Sequence, residues 1–147
     1  MAQNTNPIFT QVPEIQWFTS GSSPAGGAIT ASNGGYSLAS ASAATHLVFT
    51  AGPSGSYVQR IRFKALGTNV ATVARIFVLN TGSITQPSSS VLFDEVTLPA
   101  TTAVANAATP LVELPLNFAL PASHSIYVTL GIAVAAGYDA TVIGGDY

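Results

Sequence analysis

The chain of 147 residues contains no cysteine and few charged side chains. The absence of cysteine excludes disulfides, thiolate metal ligands and a cysteine nucleophile. Charged residues make up 7 % of the chain, whereas ordinary soluble domains carry about 25 %. No apolar run approaches the roughly 20 residues that a membrane-spanning helix needs. The first residues also lack the basic start and apolar core of a secretory signal. We therefore expect neither a membrane partner nor a secretory leader.

The residues that are present predict a folded protein with an unusually neutral surface. Hydrophobic residues make up 48 % of the chain and the mean hydropathy is +0.43, which is too apolar for disorder. A chain of this length suits one domain that buries about 70 % of the surface its unfolded form exposes. The net charge of −2 gives no general attraction for nucleic acid. We expect much of the neutral surface to lie against other protein subunits.

The clearest strand covers residues 57–65, where apolar and basic side chains alternate. Ile61 and Phe63 fall on one side, and the cations Arg60, Arg62 and Lys64 fall on the other. A second strand, at residues 70–79, is apolar on nearly both faces. The four residues between these strands predict that they form a β-hairpin.

Short strands recur along the rest of the chain, and no helical period of useful length interrupts them. They lie at residues 45–50, 90–98, 111–116, 125–134 and 138–143. This pattern predicts an all-β domain over residues 26–147, a single antiparallel β-sandwich or jelly roll of about eight strands. The long connections at residues 81–89 and 99–109 suit crossings between two sheets. Pro115 argues that its strand lies at a sheet edge.

Residues 1–25 read as an extended N-terminal arm. Prolines interrupt regular structure there, but the segment is too apolar for a free tail because it contains Ile8, Phe9, Trp17 and Phe18. Two alternatives stay open. The arm is either an edge strand on the protein's own sheet or an extension that docks on a neighbouring subunit, where an aromatic anchor such as Trp17 is favoured.

The sequence offers little for catalysis, and we predict no catalytic, cofactor-binding or metal site. Asp94 and Glu95 are adjacent, so in a strand they point to opposite faces. His46 and His124 lack the local spacing of metal ligands, and no phosphate-binding motif is present. Hydrolase activity is kept only as a third hypothesis.

The stripe of Arg60, Arg62 and Lys64 has three interpretations. It is a solvated face that discourages edge-to-edge aggregation, or it pairs with acidic groups on a neighbouring protein. Nucleic-acid binding is the third, and it is weak because exposed aromatic residues do not alternate with the cations.

The order of these segments resembles jelly-roll head decoration, or cement, proteins of tailed bacteriophages. The similarity spans about residues 45–147 and is carried by segments 66–78, 95–100, 113–116, 120–122 and 126–131. The resemblance implies an accessory subunit on the outer surface of the capsid head that binds the major capsid protein. It implies no catalytic residues.

Our leading hypothesis is therefore a non-enzymatic virion protein that stabilises a phage capsid without a cofactor. Its expected partners are the major capsid protein and its own copies, as a dimer or trimer. The expected contacts are the arm residues Ile8, Phe9, Trp17 and Phe18 and the stripe Arg60, Arg62 and Lys64. The alternative is a carbohydrate- or receptor-binding module of a head fibre or tail. It would need exposed aromatic residues, and its candidates are Tyr36, Tyr57, Tyr127, Tyr138 and Tyr147.

Overall fold

The computed structural model describes residues 10–18, 27–38, 44–80 and 90–147. These residues form eight strands and no helix, which confirms the predicted all-β class. The strands are β1 (Val12–Trp17), β2 (His46–Thr50), β3 (Ser56–Ala65), β4 (Thr72–Leu79), β5 (Ser90–Leu98), β6 (Leu111–Leu120), β7 (Ser125–Leu130) and β8 (Tyr138–Asp146).

The strands form two four-stranded sheets. Sheet one has the order β1-β8-β3-β6 and sheet two has the order β2-β7-β4-β5, and all neighbouring strands are antiparallel. Except for β4 and β5, consecutive strands always lie in different sheets. This arrangement is the eight-stranded jelly roll, so the predicted architecture is confirmed.

The main core lies between the two sheets and is built from the inward positions of alternating strands. Ile61 and Phe63 of sheet one and Ile76 and Val128 of sheet two are completely buried. Each large apolar side chain buried in this way contributes about 1.5–3 kcal/mol relative to its exposed state.

A second, smaller cluster lies on the outer face of sheet two. There Phe77, Leu79 and Tyr127 are buried together with Leu38 of the segment 27–38. This cover explains why β4 is apolar on nearly both faces and why every residue of β7 is buried. A strand buried on both sides loses the polar alternation of a strand that faces water.

The predicted hairpin of β3 with β4 is wrong. Strand β3 pairs with β6 and β8 in sheet one, whereas β4 pairs with β5 and β7 in sheet two. The segment between them turns the corner of the sandwich, and Asn69 forms a bridge with Thr101 of another loop instead of closing a tight turn. The length of a short connection does not distinguish a hairpin from a corner.

Other features also differ from the predictions, including the ends of two strands: β6 ends at Leu120 instead of residue 116, and β8 ends at Asp146 instead of residue 143. Residues 81–89 lie outside the described residues, but β4 and β5 on either side of them are neighbours in one sheet, so the crossing predicted there is wrong. Residues 99–109 do link the two sheets. The predicted strand at residues 125–134 ends at Leu130. The N–H of Gly131 donates to the carbonyl of Val73, and Ile132 is exposed. Pro115 lies on the edge strand β6, as predicted.

The described part of the arm lies on the protein's own sheet. Strand β1 pairs with β8 along its whole length, which is the first of the two alternatives. Gln16 also links β1 to sheet two, because its side-chain amide exchanges two hydrogen bonds with the backbone of Thr50. Ile8 and Phe9 lie outside the described residues.

Candidate interaction surfaces

The outer face of sheet one brings Trp17 and the basic stripe together. Trp17 is the register partner of Thr141, and Thr141 is the register partner of Arg62. Residues opposite each other share a face, and strands lie about 4.8 Å apart, so Trp17 and Arg62 are about 10 Å apart on one surface. Trp17 of the predicted arm contacts therefore lies on the same surface as the basic stripe.

Most of the positive charge on this face is satisfied within the chain. Arg62 Nε lies 2.8 Å from Glu113 Oε1. Both side chains are 41 % exposed, so this ion pair contributes at most about 1 kcal/mol. Lys64 donates to the carbonyl of Thr109 and lies opposite Asp139 in the register. Only Arg60 of the stripe has neither an ion pair nor a hydrogen bond with its side chain among the described residues.

The apolar part of the same face lies along β1. Ile15 is 58 % exposed and Trp17 is 44 % exposed, so both can contact a partner. Phe18 differs from them because it is half-buried against the main core. Its ring centroid lies 4.5 Å from that of the buried His46. Of the described aromatic arm residues, Trp17 is therefore the exposed one.

The loops at one end of the sandwich form a second surface, which we call the loop end. It consists of the segments 66–71, 99–110 and 131–137, and none of these residues is charged. Four aliphatic side chains on these loops are 51 % to 59 % exposed: Leu66, Val70, Val104 and Ile132. These loops therefore combine exposed aliphatic side chains with an absence of charge.

Asn69 holds the loop end together from inside. This residue is 4 % exposed, and it exchanges two backbone hydrogen bonds with Thr101 of the next loop, at 3.1 and 2.9 Å. Its side-chain oxygen accepts from the N–H groups of Ala136 and Gly137, both at 2.9 Å. Thr101 Oγ1 closes the network by donating to the carbonyl of Gly67 at 2.7 Å. The aliphatic side chains therefore stand on a fixed frame.

The loop end was not among the contact surfaces predicted from the sequence. The signal was present, because the three segments that form it all lack charge. Their meeting at one end could not be inferred without the strand order. The basic stripe was predicted as a contact surface instead, but Arg62 and Lys64 have partners within the chain.

The fold also brings two isolated carboxyl groups together. Burial raises the pKa of Glu14, and the nearby Asp146 carboxyl acts in the same direction, while a hydrogen bond from Gln16 opposes them. Asp146 itself accepts a hydrogen bond from the Ser56 hydroxyl. Within the described ranges, no group of three or more potential metal-ligating side chains is found.

Comparison with protein-family models, with curated proteins and with solved structures gives no match for this chain. No helix in the described part of the chain is long and apolar enough to cross a membrane. The chain's own surfaces therefore have to support any functional proposal.

Proposed function

We propose that this protein is a non-enzymatic structural subunit that decorates and stabilises a phage capsid. It binds the major capsid protein and its own copies on the outer surface of the head. The observation that carries this proposal is the loop end, which combines four exposed aliphatic side chains with a complete absence of charge. The resemblance of residues 45–147 to jelly-roll decoration proteins gives the context.

The composition of the loop end suits contacts that repeat in a shell. Two copies can approach through neutral loops without repulsion between like charges, and burial of aliphatic surface contributes about 25 cal/mol per Å². The Asn69 frame holds the loops in place before binding, which lowers the entropy cost of association. Many weak contacts in a shell then act together.

The sheet edges support association through faces and loops instead of strand pairing. Pro13 lies on the edge strand β1 and Pro115 on the edge strand β6. Asn117 of β6 also takes a left-handed conformation with φ of +50°. The other two edges, β2 and β5, each contain a register shift. Proline and bulges protect edge strands from adding further strands, which favours discrete contacts over fibres.

Exposed aliphatic residues of the loop end provide the test. The variant Val70→Ser with Ile132→Ser removes two of them, and its matched control is Val12→Ser with Val91→Ser, at equally exposed sites elsewhere. Sedimentation velocity over a concentration range measures self-association. Co-sedimentation with heads of the phage that encodes the chain, purified without it, measures attachment.

We expect the loop-end variant to weaken self-association and attachment at least tenfold, and the control variant to change each less than twofold. Both variants should keep their stability within about 0.5 kcal/mol, because all four sites are exposed. A wild-type chain that stays monomeric at high concentration and does not sediment with heads would refute the proposal. Equal losses in the two variants would refute the role of the loop end.

A further inference from the structure

A shallow polar cleft lies on the outer face of sheet one, away from the loop end. Its volume is about 420 Å³, within the range of about 300–1,000 Å³ that is typical of small-molecule sites. The lining residues are Gln59, Arg60, Glu113, Pro115 and Asn117. Most of them offer hydrogen-bonding groups.

Cross-strand pairs define the shape of the cleft. Arg60 lies opposite Pro115 in the register of β3 with β6. On one side of this pair, the Tyr57 hydroxyl donates to Asn117 Oδ1 at 3.2 Å. On the other side lies the ion pair of Arg62 with Glu113. The flanking side chains are therefore held by partners, while the centre of the cleft stays open.

The backbone beneath the cleft is irregular in both strands. Gln59 is an extra residue in β3, because Val58 and Arg60 pair with consecutive residues of β8. The register with β6 shifts at the same place. A Cβ on Gly144 of β8 would overlap the carbonyl oxygen of Tyr57, so a glycine there accommodates the bulge. Bulges of this kind re-aim side chains next to functional sites.

Arg60 supplies the charge that selects a ligand. The Nε atoms of Arg60 and Arg62 are both buried without a hydrogen-bond partner, but Arg62 has the ion pair with Glu113, whereas Arg60 forms no ion pair among the described residues. An unpaired buried donor is costly, and guanidinium binds carboxylates especially well. The other cleft groups are the neutral amides of Gln59 and Asn117, and Glu113, which Arg62 already neutralises. This combination favours a ligand with one carboxylate and several hydroxyl groups.

We propose that the cleft binds a saccharide unit that carries a carboxylate, of the uronic-acid or sialic-acid type. The carboxylate pairs with Arg60, and the ring hydroxyls hydrogen-bond to the amides and to Glu113. A carboxylate alone would occupy only a small part of about 420 Å³, which favours a sugar over an acidic side chain of a protein. This inference goes beyond the structural role proposed above and does not depend on it.

Isothermal titration of the full chain with glucuronate and with N-acetylneuraminate tests the proposal. The methyl esters of the two sugars serve as neutral controls, and acetate serves as the carboxylate control. We expect at least one acidic sugar to bind tenfold or more tightly than its ester and than acetate. Arg60→Gln should weaken that binding at least tenfold. Lys64→Gln, which removes an equal charge from the same strand outside the cleft, should change it less than twofold.

Several results would overturn the proposal. One is the absence of binding of both acidic sugars at 10 mM, a concentration on the order of the weakest useful affinities. Another is equal affinity for an acid and its ester. Acetate binding as tightly as the sugars would indicate a site for carboxylate side chains and would refute the saccharide. Equal losses in the two variants, with both folded by circular dichroism, would indicate general electrostatics instead of a site.

Discussion

Asn69 pairs with the backbone of Gly137 at two points. Its Nδ2 donates to the Gly137 carbonyl at 3.0 Å, and its Oδ1 accepts from the Gly137 N–H at 2.9 Å. The Gly137 carbonyl also accepts from the N–H of Leu66, so the Asn69 amide adds side-chain hydrogen bonds where the pairing of β3 with β8 ends. Because buried backbone groups must be paired, this arrangement allows loops to pack at the loop end without a sheet.

Replacing Asn69 with alanine should therefore destabilise the protein strongly. The change leaves the N–H groups of Ala136 and Gly137 without their partner, whereas the Gly137 carbonyl keeps the N–H of Leu66. We expect a loss of about 3 kcal/mol in the free energy of unfolding, measured by urea denaturation, because each buried unsatisfied group costs about 1–3 kcal/mol. Asn106→Ala, at an exposed site on the same loops, should stay within about 0.5 kcal/mol. Similar values for the two variants would contradict the role of Asn69.

Gly144→Ala tests whether the bulge in sheet one depends on a missing side chain. The new Cβ would overlap the Tyr57 carbonyl oxygen, which belongs to the backbone of β3 and cannot rotate away. We expect a loss of about 2–3 kcal/mol in the free energy of unfolding, since overpacking typically costs about 1–3 kcal/mol.

Gly35→Ala is the matched control for the bulge. A Cβ there would meet no atom closer than 3.7 Å, so we expect a change within about 0.5 kcal/mol. If Gly144→Ala were as mild as this control, the bulge would have to be more adaptable than its geometry indicates.

The sequence predicted the class and architecture of this fold because alternation reports which strand positions are buried. Strict alternation in β3 predicted a strand with one solvent-facing side, and Pro115 predicted that its strand lies at a sheet edge. The same pattern could not assign β3 and β4 to different sheets, because pairing depends on contacts far apart in the chain. The cleft around Arg60 could not be predicted from alternation either, because a bulge changes which residues lie opposite each other on neighbouring strands. Trp17 and the stripe were singled out separately, and only the register with β8 placed them on one face.

Asp139 should make stability depend on pH. Burial raises the pKa of this carboxyl above its ordinary value of 3.8, and its Oδ1 is buried without a partner. The folded state therefore binds more protons than the unfolded state from about pH 3.8 up through the raised pKa, so ionisation of Asp139 lowers stability as pH rises through this window.

We expect Asp139→Asn to raise the free energy of unfolding at pH 7 and to have little effect at about pH 3, where the carboxyl is protonated in both states. Urea denaturation at the two pH values measures the difference. An equal effect of the substitution at both pH values would show that the charge of Asp139 is not responsible.

His46 should make stability depend on pH with the opposite sign, so that stability falls as the pH decreases. Burial lowers the pKa of its ring below the ordinary value of 6.5, and its Nε2 is buried without a partner. The unfolded state then binds more protons between the lowered pKa and 6.5, so stability is complete above this range and falls as pH decreases through it.

The variant His46→Leu should lose part of this pH dependence. The difference between the wild-type and variant stability curves, from about pH 7.5 to 5, isolates the histidine because both chains share the same carboxyl groups. We expect the wild-type chain to lose more stability than the variant on acidification. Parallel curves would contradict this interpretation.

Gln16 controls how firmly β1 is held, and its removal should free that strand before the rest of the sandwich unfolds. The Thr50 N–H donates to Gln16 Oε1 at 2.8 Å, and Gln16 Nε2 donates to the Thr50 carbonyl at 3.0 Å. Gln16→Ala removes both bonds, so we expect a loss of about 1–2 kcal/mol in the free energy of unfolding.

Trp17 is the only tryptophan, so its emission reports on β1 directly. In Gln16→Ala, the change in Trp17 emission should occur at a lower urea concentration than the loss of far-ultraviolet circular dichroism. In the control Gln11→Ala, at an exposed site before β1, the two transitions should coincide. Coincident transitions in both variants would mean that pairing with β8 alone holds the strand.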